Sequence, residues 1–550
     1  MQKARRIYLY LLSAISLGVL LTGLFLLLHV LLDVLGIGRG APIGDGGTDR
    51  QQLSVALALI GVGFPVWGVH WWLADRGLRP DAPRADEERG SGVRALYLSV
   101  VLGAALAFGA VAAVAVLRHL IGSVLGSQSD NLSYDDLPAS ISLLLVAGAA
   151  WAYHVAIRRR DMAGGPMTGA AAWLPRLYLY GAALITLQLM LSAFADLFRL
   201  LGEVLAPAAD GAFSDAGYRS YVAADDISAV VVLAVAWLGH VWYARRLVED
   251  PGWRGASERP ARLRLAYFVA VILIAAIVVL VRGADAMRAI LVPLFGATQA
   301  LDTNPTGADL VREVLVALAA GLLWAIAWRV HLGWMRGEAL RQDAAERSRF
   351  AEQLQLHVVA AVGLGFGAVG LAWLLGITLD VLLGGGRTAA ADGFWHLELA
   401  TFVPFAVLGT AMLLWAWSRA MVHYAAEPLR EAGSVVRRAY LLLALAASIL
   451  TGVASLGVVL YRLFGTILGV TLSGDTVSEL STPTGFLIVA LAVALYHGVA
   501  QRRDAALRAA QAEEAPARTL TLSGPDGANF EAAIVELRAT LPPGYRLEEG

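Results

Sequence analysis

The sequence predicts an all-α polytopic membrane protein: about twelve transmembrane helices as six parallel two-helix hairpin repeats, followed by a small α/β C-terminal tail. Three observations carry the prediction. Of 550 residues, 58% are hydrophobic and only 16% charged, with mean hydropathy +0.64. An average soluble chain is roughly 45–50% apolar and about 25% charged, so the surplus has to face lipid. Apolar runs of roughly 20 residues, the length that crosses a bilayer core about 30 Å thick, recur along the whole chain. These runs alternate between two recognisable types, so one hairpin returns again and again.

The runs lie near 7–32, 53–73, 94–117, 138–157, 176–201, 226–244, 263–281, 312–332, 355–379, 399–420, 438–464 and 484–500. The first follows Lys3, Arg5 and Arg6. It exceeds the roughly 7–15 residues of a signal-peptide core and reads as an uncleaved first span. The first helix of each hairpin opens on a basic residue and an aromatic: Arg6 and Tyr8, Arg94 and Tyr97, Arg176 and Tyr178, Arg264 and Tyr267, Arg437 and Tyr440. His357 fills that slot in the fifth copy. The second helix closes on an aromatic and a histidine: Trp67 and His70, Trp151 and His154, Trp237 and His240, Trp328 and His331, and in degraded form Tyr496 and His497. Trp415 and Trp417 mark this end in the fifth copy, without the histidine. The first helix of a hairpin runs on into a short apolar stretch ending in glycine (Gly36, Gly126, Gly469), expected at the membrane surface. The hairpins divide the chain at 1–90, 91–172, 173–259, 260–347, 348–432 and 433–503, leaving 504–550 as a linker and tail.

A two-helix period brings every copy through the bilayer in the same direction, so the repeats are parallel and alternating access built on inverted repeats is disfavoured. Pro65 and Pro404 fall inside spans at different depths and do not form a matched pair of broken helices. Closure into a ring and a compact bundle both remain open. Orientation follows from arginine: segments joining hairpins carry Arg76, Arg79, Arg84, Arg89 and Arg94, or Arg158, Arg159, Arg160 and Arg176. Loops within hairpins carry aspartates such as Asp45, Asp130 and Asp215. The positive-inside rule then places both termini in the cytoplasm, across a bacterial cytoplasmic membrane.

Arg518-Thr-Leu-Thr-Leu, an amphipathic Phe530 to Leu541, and Tyr545-Arg-Leu-Glu predict a strand, a helix and a strand in the tail. That segment is too short to hold a core alone and is expected to dock on the membrane part or on a protein partner.

The tandem hairpin with its basic-aromatic opening and Trp-x-x-His close resembles the bacterial membrane family catalogued as domain of unknown function 5671. The resemblance covers nearly all of residues 1 to 500; the fifth copy departs from it by lacking the closing histidine. It implies no activity and no site residues.

Several classes are excluded on composition. A net charge of −1 and pI near 6.8 offer no concentrated basic surface for nucleic acid. The absence of cysteine removes disulfides, thiolate metal sites, iron–sulfur clusters and a cysteine nucleophile. There is no phosphate-binding loop, zinc-protease motif or nucleophile elbow. No catalytic, cofactor-binding or metal-ligating residue and no cofactor is therefore assigned.

Ionisable groups within membranes are costly and mark candidate sites. Here they gather at helix ends. Aligning the hairpins stacks His29, His119, Arg199, Arg288 and Arg462 at the outer end of the first helix. Asp136, Asp226, Asp309, Glu398 and Glu479 open the second helix. Cations at helix C-termini and anions at N-termini complement the helix dipole, the structural reading; the same groups facing inward would ring a vestibule for an ion or anionic solute. His70, His154, His240, His331 and His497 sit at the opposite membrane border, each about a turn from an aromatic, as interfacial anchors do. A haem ligand set or proton relay is the sharper alternative. The expectation is a non-enzymatic scaffold, sensor or assembly component in contact with the lipid bilayer, with an ion or anion channel or carrier second and a haem-binding or redox subunit third.

Overall fold

The computed structural model describes residues 2–37, 46–78, 85–127, 137–205, 216–297, 306–341, 345–383, 394–468, 476–513 and 529–541. All its regular elements are helical. The long helices are α1 (Gln2–Val34), α2 (Gly46–Asp75), α4 (Gly92–Leu125), α5 (Leu137–Ala163), α6 (Gly169–Leu205), α7 (Ala216–Glu249), α9 (Arg262–Leu294), α10 (Gly307–Arg341), α11 (Ala345–Leu383), α12 (Phe394–Ala426), α14 (Val435–Ile467) and α15 (Thr476–Glu513). Short helices α3 (Ala85–Arg89), α8 (Trp253–Glu258) and α13 (Pro428–Gly433) lie between them, and α16 (Phe530–Thr540) stands in the tail. Twelve helices are long and apolar enough to cross a membrane, the architecture of a multi-pass membrane protein. Pro65 and Pro404 sit inside α2 and α12, which continue on both sides of them.

Consecutive long helices pack as antiparallel pairs. Lipid supplies no hydrophobic drive between helices, so close approach of backbones has to hold them. The pair α11–α12 shows this most strongly: a Cβ at Gly409 would lie 2.3 Å from the Gly367 amide nitrogen. In the first hairpin a Cβ on Gly63 would fall 2.7 Å from the nitrogen of Leu20. Any side chain at either glycine forces the helices apart.

Each hairpin then packs on the next, in a contact pattern that alternates with a two-hairpin period, one four-helix group. The first helix of each group packs on the fourth: α1 on α5, α6 on α10, α11 on α15. The third helix of one group packs on the next group, α4 against α6 and α7, α9 against α11 and α12. The result is an open row. Among the described residues, no extensive packing joins the last hairpin to the first. The terminal helices carry bare apolar faces, with Val62 and Phe64 exposed on α2 and Leu443 and Leu450 on α14.

In the tail, the expected helix is present, capped by the Asn529 side chain accepting from the Ala532 amide at 3.1 Å. The α/β tail is not supported: the expected strands at 518–522 and 545–548 lie outside the described residues, and the described part of the tail is this one helix.

Candidate functional site

The described hairpin junctions lie at one end of the bundle; the helix ends that flank the loops within hairpins lie at the other. The most developed polar structure is at the junction end. The short helices α3, α8 and α13 stand at the three junctions inside the four-helix groups, and each delivers a glutamate in a Glu-x-x-x-x-x-Arg pattern: Glu88 and Arg94, Glu258 and Arg264, Glu431 and Arg437.

Glu88 accepts from Arg6 Nε at 2.7 Å and from the Tyr10 hydroxyl at 3.1 Å. Glu258 accepts from Arg176 Nε and from the Tyr180 hydroxyl, both at 2.7 Å. In the third group Gln353, one turn before His357, donates to Glu431 at 2.5 Å. The following arginine closes the network, with Arg94 donating to Tyr10 at 3.1 Å and Arg264 to Tyr180 at 3.3 Å. Each latch thus ties the first helix of a group, the junction helix and the third helix together.

In two groups the arginine also meets an acid near the end of the fourth helix. Arg94 forks onto Asp161 at 2.7 and 3.1 Å, with side chains 1% and 5% exposed. Arg437 binds Asp504 at 2.7 and 3.4 Å, with both side chains at 2% exposure or less. Trp71 and Trp417 lie 5.3 Å from the two guanidinium carbons. Charges this deep must be paired because desolvation is expensive, and a forked arginine–carboxylate contact is the pairing that meets the cost best. Asp161 and Asp504 each follow a column histidine by seven residues (161 − 154 and 504 − 497). The same position after His331 is Glu338, whose side chain lies outside the described residues.

The five closing histidines stand beside the latches. In each, Nδ1 meets a carbonyl one turn back: Val66 for His70, Ala150 for His154, Ala236 for His240 and Ala327 for His331 at 2.7 Å, and Val493 for His497 at 2.9 Å. A carbonyl only accepts, so Nδ1 carries the proton and Nε2 is left to accept from a tyrosine. Tyr8, Tyr97, Tyr178, Tyr267 and Tyr440 supply those hydroxyls at 3.5, 3.1, 3.2, 2.9 and 3.2 Å. The two repeated signatures of the sequence, the opening aromatic and the closing histidine, are partners of one bond. His357, in the fifth tyrosine slot, bonds Gln353 O through Nδ1 at 2.7 Å and packs on Trp417 and Tyr440. His154 and His331 are 1% exposed. A haem iron or a relay water would have to displace a tyrosine from Nε2 before using any of the five.

At the loop end the arginines of the polar column are engaged both within their hairpins and across to neighbouring ones. Arg462 pairs with Glu479 of its own hairpin, and Arg199 lies 3.6 Å from Asp196 of its own helix. Arg288 donates to Thr401 of the next group at 3.3 Å. Arg118, one residue before His119, pairs with Asp225 at 2.7 Å. His29 stacks on Phe25 with centroids 6.0 Å apart, and His119 is half-buried. Asp309 accepts from Thr306 and from Arg312, which also meets Glu203 at 3.2 Å. Asp226 and Glu398 are half-buried, and Asp136 lies outside the described residues. Among the described residues no cluster of three metal-ligating side chains forms.

The residues that sequence reasoning passed over are the junction acids Glu88, Glu258 and Glu431 and their partners Asp161 and Asp504. The signal was available in the glutamate–arginine spacing, which occurs in alternate junctions only. Arginine-rich junctions read first as a topology marker, and that reading hid the acids among them.

The alternation has a counterpart in comparison with known proteins. The family model described as "Domain of unknown function (DUF5671)" matches three times, over residues 6–149, 176–322 and 353–492. The chain belongs to the DUF5671 family. Each match starts in the first helix of a four-helix group, contains one of the three junction glutamates and ends within the fourth helix, short of Asp161 and Asp504. No curated protein and no solved structure matches the chain.

Proposed function

We propose that this DUF5671 protein is a non-enzymatic scaffold, sensor or assembly component of a bacterial cytoplasmic membrane, with both termini cytoplasmic. One observation carries the reading: its deepest charges are consumed in latches that fasten helices to one another. Arg94 with Asp161 and Arg437 with Asp504 leave no charged group free for a substrate in those latches. The loop-end arginines have acceptors, and the row of hairpins is open, which favours a scaffold over a channel with a charged mouth. Arginine at the hairpin junctions supports the cytoplasmic assignment of that end. The tail helix supports a protein partner: its Val535 is 64% exposed.

Reporter fusions at both termini test the orientation. Reconstitution of the full chain into liposomes tests the rest: no flux of small cations or anions is expected. Flux that disappears in Arg288→Ala, with thermal stability kept, would put a channel in place of the scaffold.

A further inference from the structure

A cavity of about 510 Å³ lies between the second and third hairpins, at the first boundary between family units. Its size falls within the roughly 300–1,000 Å³ of small-molecule sites. Its deep part is built from small residues, Gly109, Ala110 and Ala113 of α4 and Ala147 and Gly148 of α5, and Gly239 of α7 lines it nearer the junction end. A Cβ added at Gly148 or Gly239 would meet nothing within 4 Å. Along α4 the lining runs from Leu102 to Ala113, about 16 Å at 1.5 Å per residue, half the bilayer core of about 30 Å and so the depth of one leaflet. Val235 and Trp242 of the wall are exposed, so the space opens sideways to lipid.

The junction end of the cavity is polar and cationic. Arg158 and Arg159 line it with Tyr178, His240 and Tyr243, and no carboxylate does among the described residues. Arg158 lies 5.7 Å over the Tyr178 ring and donates Nη2 to Pro175 O at 3.2 Å. Its Nε is buried without a partner among the described residues. At the second boundary Arg336 keeps the place of Arg159, but other residues that match the lining differ. Aligning Arg94 with Arg264 and His154 with His331 puts Val279 and Leu280 where the first unit has Gly109 and Ala110, Trp324 in place of Ala147, and Met335 in place of Arg158. There Phe405, Leu408 and Met412 of α12 close on Leu280.

We propose that this cavity is a binding site for an anionic phospholipid, taking one acyl chain between α4 and α7 and the phosphate at Arg158 and Arg159. The site is independent of the scaffold reading and rests on the membrane-spanning architecture. Full-length protein reconstituted in nanodiscs of phosphatidylglycerol and phosphatidylcholine, then released for native mass spectrometry, is expected to retain phosphatidylglycerol. Arg158→Met, which copies the second unit, should weaken that retention by roughly fivefold or more, as loss of a basic headgroup contact does. Ala147→Trp fills the apolar part and should displace the lipid with both arginines intact. Equal retention of the two lipids by the unaltered protein would overturn the site, even if neither variant folds. Unchanged phosphatidylglycerol retention in a folded Arg158→Met protein would do the same.

Discussion

Asp504 and Asp309 are both carboxylates on a long helix, each held by an arginine at 2.7 Å, yet they belong to different kinds of surface. Asp504 is 1% exposed and its arginine comes from another helix; Asp309 is 21% exposed and its arginine lies one turn away on the same helix. The junction end pairs separate helices out of water, whereas the loop end leaves its pairs, within a helix and between helices, partly in contact with it. The same ion-pair chemistry therefore has different consequences at the two ends, and stability measurements expose the difference.

The largest effect is expected at Asp504. Asp504→Ala strands the buried Arg437 guanidinium, which should destabilise the protein by about 3–5 kcal/mol and sharply lower its thermal midpoint in detergent. Replacing both partners, Arg437→Met with Asp504→Leu, should recover much of that loss; a double variant as unstable as the single would mean the pair contributes more than mutual neutralisation. Trp324→Ala at the filled unit boundary comes next, at about 3–5 kcal/mol for a buried tryptophan, read from the same melting curve. Tyr267→Phe is smaller. It deprives His331 Nε2 of a donor at 2.9 Å and Trp237 Nε1 of an acceptor at 3.3 Å, costing about 1–3 kcal/mol for buried polar atoms left unpaired. At the loop end, Arg199→Ala should shift stability by no more than about 0.5 kcal/mol, since its pair with Asp196 is half exposed. A loop-end loss as large as that at Asp504 would erase the distinction between the ends.

A second contrast, between the two unit boundaries, sharpens the same point. Glycine and alanine in α4 and α5 line a void at the first boundary, whereas at the second Leu280 packs with Phe405, Leu408 and Met412. Side-chain volume, within one repeated frame, decides whether a boundary is a joint or a cavity.

Much of the fold was legible from residues 1 to 503. Twelve apolar runs and their hairpin pairing follow from hydrophobic length and from short loops, which are local properties of the chain. The Tyr and His columns were legible too, as positions. That Tyr97 and His154 form one bond was not, because 57 residues separate them and only helix packing brings them together. The junction glutamates were hidden for the same reason: Glu88 is 82 residues from Arg6, and an acid inside an arginine-rich segment looks solvated until the helices close over it. By itself the sequence determined a row of membrane-crossing hairpins, since the free energy of burying twenty apolar residues in lipid depends on composition alone. Only the tertiary structure decided which charges are latched, that the row stays open, and where the cavity lies, because pairing, closure and void volume depend on which side chains meet across helices far apart in the chain.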